Sequence, residues 1–438
     1  MIMQPETLPE LYLNPTEKAQ RISSMDTIRG VALLGILLMN ITGMGLYHAY
    51  DDPTVNGGAT GWDLKVWWMN AMFFEGTMRG MFTMLFGAGV VLFNSRSVGN
   101  INGVSVTDAY FRRLLWLFLF GLIHNYLLLW NGEVLFPYAI AGLFVFTFRN
   151  WTSGRLIIVS GILLVLMSFV YIYDYQAIKS KFDKSTAVEI KQKQLKKLSK
   201  EDSTAVQDWK SAVEDAKPPK EKIEKNIKSR HEGYWSNLKS KSSAAQYMQT
   251  TYMYRHFFLE MTAMMLLGMA LLKNGVLKAA KSNRFYMLMA VIGYGIGLTV
   301  NYLETSSIID SKFGILEIAR VYTTYDLGRL PTTFGHIAVI MLFIKSGILP
   351  FFQRSLAAVG QMAFTNYIMH SVICNFIFLG YGFSLYGILH RHQLYYIVFG
   401  IWIFQLIFSP IWLTFFRFGP LEWVWRSLTY WKMQPMKR

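Results

Sequence analysis

Long apolar runs separated by short polar breaks set the frame of this chain. They lie at about 27–46, 75–93, 111–129, 134–148, 155–173, 252–272, 285–303, 327–344, 356–379 and 394–415. Most reach roughly 18 residues, the length a helix needs to cross a bilayer. None alternates apolar with polar residues as a barrel strand would. The pattern predicts an all-α polytopic membrane protein of about ten transmembrane helices. One stretch interrupts it: residues 175–250 are hydrophilic, and Pro218-Pro219 separates two helix-favouring halves, which reads as an exposed helical hairpin or stalk. The chain thus divides into a cytoplasmic N-terminal segment (1–26), an N-terminal helical half (27–174), the insert (175–250), a C-terminal helical half (251–416) and an interfacial tail (417–438).

Basic residues set the expected orientation. Arg96, Arg112, Arg113, Arg149, Arg155, Lys273, Lys278, Lys281 and Arg284 fall in breaks on one side. The short breaks on the other side hold only Lys65, Lys312, Arg320 and Arg391. Positive-inside bias then predicts both termini in the cytoplasm and the insert outside, because the bias does not count segments this long. The first 26 residues are polar and carry no cleavage motif, so the first helix is expected to be a retained anchor.

Composition agrees with a membrane class. Of 438 residues, 53% are hydrophobic and only 16% charged, and the formal net charge is +16. In a soluble protein that charge would suggest nucleic acid. Here the basic residues sit in loops, where lipid headgroups account for them, and no nucleic-acid partner is expected. The insert's basic balance also suits an anionic wall polymer. Cys374 is the single cysteine, which excludes a disulfide framework and a cysteine metal site. No metal-ligand spacing and no phosphate-binding loop occurs, so no metal is expected.

Ionisable residues at membrane depth are costly and are functional candidates by default. With the termini inside, His124, Glu133, Glu75, Arg79, His256, Glu260, Glu304, Asp326 and Arg329 fall in the outer half, with His336 and His370 deeper. Their asymmetry predicts a polar cavity open to the outside. His124 and Glu133 flank the turn Trp130-Asn131-Gly132 between the third and fourth runs. His124 is placed to act as a general base, or else to hydrogen-bond a neighbouring helix, and Glu133 to serve as its partner or as a solvated turn residue. Glu75 and Arg79, four apart, would share one helical face as an ion pair or as substrate-positioning groups. Gly87-Ala88-Gly89 and Gly293-x-x-x-Gly297 permit close helix contacts, within one chain or in an oligomer. In the tail, Gly419-Pro420 starts an aromatic, basic segment whose Arg417 and Arg426 suit either an interfacial anchor or a phosphate-bearing ligand.

Five stretches together resemble one family: MDTIRGVALLGILLMN at the first helix, MRGMFTMLFGAGVVLF (78–93), GLIHNYLLLWNGEVLFPYAIAG, VGQMAFTNYIMHSVI (359–373) and FRFGPLEWVWRSLTY. They are similar to the YeiB-like bacterial membrane proteins carrying domain of unknown function 418, whose usual acidic Gly-Asp-Ile-Leu turn is Gly132-Glu133-Val134-Leu135 here. That resemblance implies a multi-pass protein of the bacterial plasma membrane. The family is similar in turn to transmembrane acyltransferases of the heparan glucosaminide acetyltransferase type, with which this chain shares Arg29 and, eleven positions on, Asn40. The resemblance implies transfer of an acyl group from a cytoplasmic thioester such as acyl-CoA to an extracytoplasmic glycan, lipid or small molecule. His124 or His48 would be the base with Glu133 beside it. Asn40, Glu75, Arg79, Asp326 and Arg329 would position substrate, and Arg29, Arg417 and Arg426 would hold donor phosphate. The alternative is a transporter or flippase that uses the same polar residues without covalent chemistry.

Overall fold

The computed structural model describes residues 22–95, 106–194 and 197–438. Its helices are α1 (Ser23–Gly45), α2 (Gly61–Met69), α3 (Thr77–Asn94), α4 (Val106–Leu122), α5 (Leu135–Val145), α6 (Ser153–Lys193), α7 (Lys200–Ala216), α8 (Lys220–Arg230) and α9 (Tyr234–Tyr247). The second half adds α10 (Phe258–Lys273), α11 (Asn283–Asp310), α12 (Ile315–Tyr322), α13 (Tyr325–Ser346), α14 (Pro350–Gln361), α15 (Ala363–Phe378), α16 (Arg391–Phe415) and α17 (Pro420–Tyr430). Short π-helical segments precede α3 and α10 and end α4, at Asn70–Phe74, Met248–Phe257 and Ile123–Leu127.

Among the described residues, seven helical segments are long and apolar enough to cross a membrane: α1, Gly61–Asn94, α6, Tyr234–Lys273, α11, α13 and α16. Leu135–Phe148 and Ala363–Phe378 are apolar but shorter. The run expected at 356–379 is not one helix, because Met362 (φ −104°, ψ 29°) leaves helical geometry and divides α14 from α15. Large apolar side chains point outward along the bundle: Ile158, Ile162, Val165 and Phe169 on α6, Val291 and Ile296 on α11, and Ile403 and Ile407 on α16. An exposed apolar belt on helices with internally satisfied backbones is the surface a bilayer requires. The protein is a helical membrane protein.

Small residues set the tightest helix crossings. A Cβ built on Gly87 would stand 2.0 Å from the Met265 carbonyl oxygen, and one on Gly268 would stand 1.8 Å from that of Met84. Backbones of α3 and α10 therefore touch directly. Gly293 and Gly297 press in the same way on α13, at Pro331 and Thr332. The small-residue surfaces seen in the sequence thus serve packing within the chain, though Gly89 faces open space.

The expectation that Glu75 and Arg79 share a continuous helical face is overturned. The helix breaks at Glu75, which is extended (φ −60°, ψ 128°), and Gly76 takes φ 69° before α3 begins at Thr77. A break at membrane depth strands backbone carbonyls that lipid cannot satisfy, and neighbouring helices meet them. Asn301 of α11 donates to the Met72 oxygen at 2.8 Å, His336 of α13 to that of Phe73 at 2.7 Å, and the Thr77 hydroxyl to Phe73 and Phe74 at 2.9 and 3.0 Å. Any side chain at residue 76 would meet the Tyr325 hydroxyl at 2.5 Å and the Arg329 Cγ at 3.0 Å. Positive φ and close approach both require glycine there.

The insert is helical, as the hairpin alternative expected, and it is docked. Pro218-Pro219 does separate α7 from α8, but α7–α9 fold down on one end of the bundle. Lys217 pairs with Asp52 at 2.9 Å. Lys241 donates to the Leu129 oxygen at 2.7 Å, His231 to that of Tyr386 at 2.9 Å, and the Gly380 amide to the Arg230 oxygen at 2.9 Å. Most of these contacts are polar and use loop backbone. The α6 helix continues from the apolar bundle into this cap without interruption.

Candidate functional site

The ends of several helices meet beneath the insert. Arg79, Glu260 and Asp326 lie in the opening turns of α3, α10 and α13, and Glu304 lies in the closing turns of α11. A helix N-terminus carries partial positive charge that favours carboxylates, which suits Glu260 and Asp326. Arg79 Nη2 donates to both oxygens of Glu260, at 2.9 and 3.1 Å, and to the Tyr325 hydroxyl at 3.4 Å. Its guanidinium covers the Phe257 ring at 4.6 Å. Arg329 pairs with Glu304, whose other oxygen accepts from the Thr324 hydroxyl at 2.6 Å.

Beside the Arg329–Glu304 pair opens a narrow cleft. Asp51, Glu75, Glu304 and Arg329 line it, with the aromatic rings of Trp67, Tyr322 and Tyr325. Asp51 accepts a hydrogen bond from Tyr322 at 2.8 Å. Tyr322 and Tyr325 stack at 5.5 Å between centroids, and Tyr171 of α6 closes on both at 5.7 and 6.2 Å. Among the described residues, four buried polar atoms in this region have no hydrogen-bond partner: Arg329 Nε, which lines the cleft, and Asp326 Oδ1 and Oδ2 and Arg79 Nη1 nearby. At this depth an unmet polar atom is expensive, so it marks a place for water or a ligand.

The other sequence candidates stand elsewhere. His124 is fully buried, bonded through Nε2 to Ser371 at 2.7 Å and edge-on to Tyr367; it does not line the cleft. Glu133 accepts from the Leu135 and Phe136 amides at 2.7 and 3.1 Å and from Gln249 at 3.3 Å. It thereby caps α5, whose first amides have no helical partner. Glu133→Ala should therefore lower stability by about 1–2 kcal/mol in detergent unfolding and leave function intact once folded. Lost function at unchanged stability would contradict the capping role. His48 is on the exposed loop after α1, with Lys222 and Asp215 of the insert as charged neighbours. Asn40 is half-buried on α1. Arg29 pairs with Asp26 at 2.9 Å, Arg426 packs on the Phe418 ring and Arg417 is exposed. Of the candidates read from the sequence, the structure brings Glu75, Arg79, Asp326 and Arg329 into one region.

Comparison with known proteins adds the family. Residues 271–432 match the model described as Protein of unknown function (DUF418). The chain is 29% identical to "Uncharacterized protein YxaH" of Bacillus subtilis (strain 168), across 97% of this chain and 98% of that protein. It is also 29% identical to "Uncharacterized protein YeiB" of Escherichia coli (strain K12), across 94% and 96%. The chain thus carries a DUF418 match in its C-terminal part and is similar to YxaH and YeiB along nearly its whole length. A third relative, the "Uncharacterized 39.9 kDa protein in amylase 3'region" of Bacillus acidopullulyticus, is 26% identical across 95% and 96%. No solved structure matches. The DUF418 segment runs from the end of α10 through α17 and supplies Glu304, Asp326 and Arg329. Asp51, Glu75, Arg79 and Glu260 precede it, so the cleft joins the DUF418 segment to the N-terminal half.

Sequence reasoning passed over Asp51, Tyr322 and Tyr325. Asp51 stands in a loop with no Lys or Arg between Leu46 and Asp63, and that acidic stretch was the available signal. Tyr322 and Tyr325, three apart across the α12–α13 joint, resemble ordinary interfacial aromatics in sequence.

Proposed function

We propose that this DUF418 protein is a carrier of the bacterial plasma membrane, binding a small solute in the cleft and moving it across the bilayer without covalent chemistry. One observation carries the reading. Charged groups from both halves of the chain, Asp51 and Glu75 with Glu304 and Arg329, converge on a cavity at helix ends, and Arg329 Nε there has no partner among the described residues. Intramembrane ionisable groups around a cavity at broken helices are the usual construction of a solute site in a transporter. The break at Glu75-Gly76 supplies the irregular backbone such sites use.

Acyl transfer has less support. A base, an acceptor position and a donor site must meet, whereas His124, His48 and Glu133 are dispersed and Arg29, Arg417 and Arg426 are each engaged or exposed away from the cleft. The two readings separate in proteoliposomes. Vesicles holding the protein are incubated with a defined mixture of amines, amino acids, sugars and carboxylates, and the lumen is analysed by mass spectrometry. At least one solute should enter faster than into protein-free vesicles, and Glu75→Gln should abolish the difference. Hydrolysis or transfer from acetyl-CoA that disappears in His124→Ala would instead establish the enzyme.

A further inference from the structure

The charges around the cleft do not balance. Each guanidinium already has a carboxylate, Arg79 with Glu260 and Arg329 with Glu304. That leaves Asp51, held only by the Tyr322 hydroxyl, Glu75, whose carboxylate has no hydrogen-bond partner among the described residues, and Asp326, whose two oxygens are buried and unpartnered. Arg329, 6% exposed, lines the same cleft and leaves its Nε unpartnered. An excess of carboxylates at membrane depth is a standing cost that a bound cation relieves.

The walls decide which cation. Among the described residues no three His, Cys, Asp or Glu side chains are grouped to hold a metal ion. Trp67, Tyr322 and Tyr325 line the cleft, and aromatic rings carry the quadrupole that attracts organic ammonium groups. Arg329 already uses one such face, lying over Tyr325 at 4.4 Å. The spare guanidinium Nε–H of Arg329 suits an oxygen acceptor on the same molecule.

We infer that the ligand of this cleft is a small organic ammonium compound, its amine held by Asp51 and Glu75 against the Tyr322–Tyr325 wall. The inference rests on the cleft being the solute site of the carrier and names the solute class. Purified full-length protein in detergent is titrated by calorimetry with 1,5-diaminopentane, 5-aminopentan-1-ol and pentane-1,5-diol. Both amines should bind and the diol should not. Glu75→Gln and Asp51→Asn should each weaken the amines at least about tenfold, as expected for loss of a charged partner. Asp51 stands on an exposed loop, so its variant carries the test if Glu75→Gln fails to fold. Equal binding of diol and amines, no amine binding, or amine affinity unchanged in both folded variants would overturn the inference. Amine binding without vesicle uptake would leave the inference standing and remove the carrier. Uptake of a neutral or anionic solute, with no amine binding, would do the reverse.

Discussion

Glu304→Ala should destabilise the protein by about 3–5 kcal/mol, because it leaves the Arg329 guanidinium charged, buried and unpaired. Both partners are at most 6% exposed, and Glu304 also anchors the Thr324 hydroxyl at the start of α13. The loss should appear as a lower midpoint in thermal or detergent-induced unfolding. Pairing Glu304→Leu with Arg329→Met should recover most of it, since replacing both members of a buried pair by apolar groups is often neutral. A midpoint unchanged in Glu304→Ala would mean that water reaches this pair freely, and the cleft would then be an open vestibule. The same pair joins α11 to α13, so its removal should loosen the wall carrying Tyr325 and Asp326.

The helical membrane class was legible because lipid permits few alternatives: apolar length alone identifies most spans. Helix interruptions were less legible. Nothing in hydropathy marks Met362 as a break, since Gly360 and Gln361 sit inside an otherwise apolar run. Glu75 and Arg79, expected on one helical face, are separated by the Gly76 turn, where a Cβ would collide with Tyr325, and Arg79 pairs with Glu260 instead. Glu260 and Glu304 were recognised as outer-half charges, yet their guanidinium partners lie far off in sequence, at Arg79 and Arg329 on other helices or turns.

Glu133 illustrates a different limit. A carboxylate two residues before a helix with Pro137 in its first turn carries the signature of a cap, and that local explanation outweighs catalysis. His124 gave no comparable warning. Its burial depends on Ser371 and Tyr367, which come from α15. The docking of the insert was not legible because it rests largely on lysines and loop carbonyls, with little apolar surface to mark the contact. Its Lys217 reaches Asp52, the neighbour of the cleft residue Asp51, so the cap and the site share one loop.

Gly268→Val tests how the cleft depends on packing well below it. Gly268 lies eight residues past Glu260, and Gly87 eight past Arg79, about 12 Å along each axis. At that level the two backbones touch, and a Cβ on Gly268 would stand 1.8 Å from the Met84 oxygen. Backbone cannot rotate aside as a flexible side chain can, so α3 and α10 must separate. Overpacking of this kind costs about 1–3 kcal/mol or more, and here it also draws Arg79 away from Glu260, a buried pair whose disruption adds its own penalty. The variant should therefore unfold at a much lower midpoint and lose amine binding together. Gly89→Val, on α3 but with nothing within 4 Å of its Cβ, should change stability by no more than about 0.5–1 kcal/mol. If both valines behaved alike, helix propensity would explain the loss and the backbone crossing would not. If only Gly268→Val failed, the close approach of α3 and α10 would be what holds the Arg79–Glu260 pair, and with it one wall of the charged site, in place.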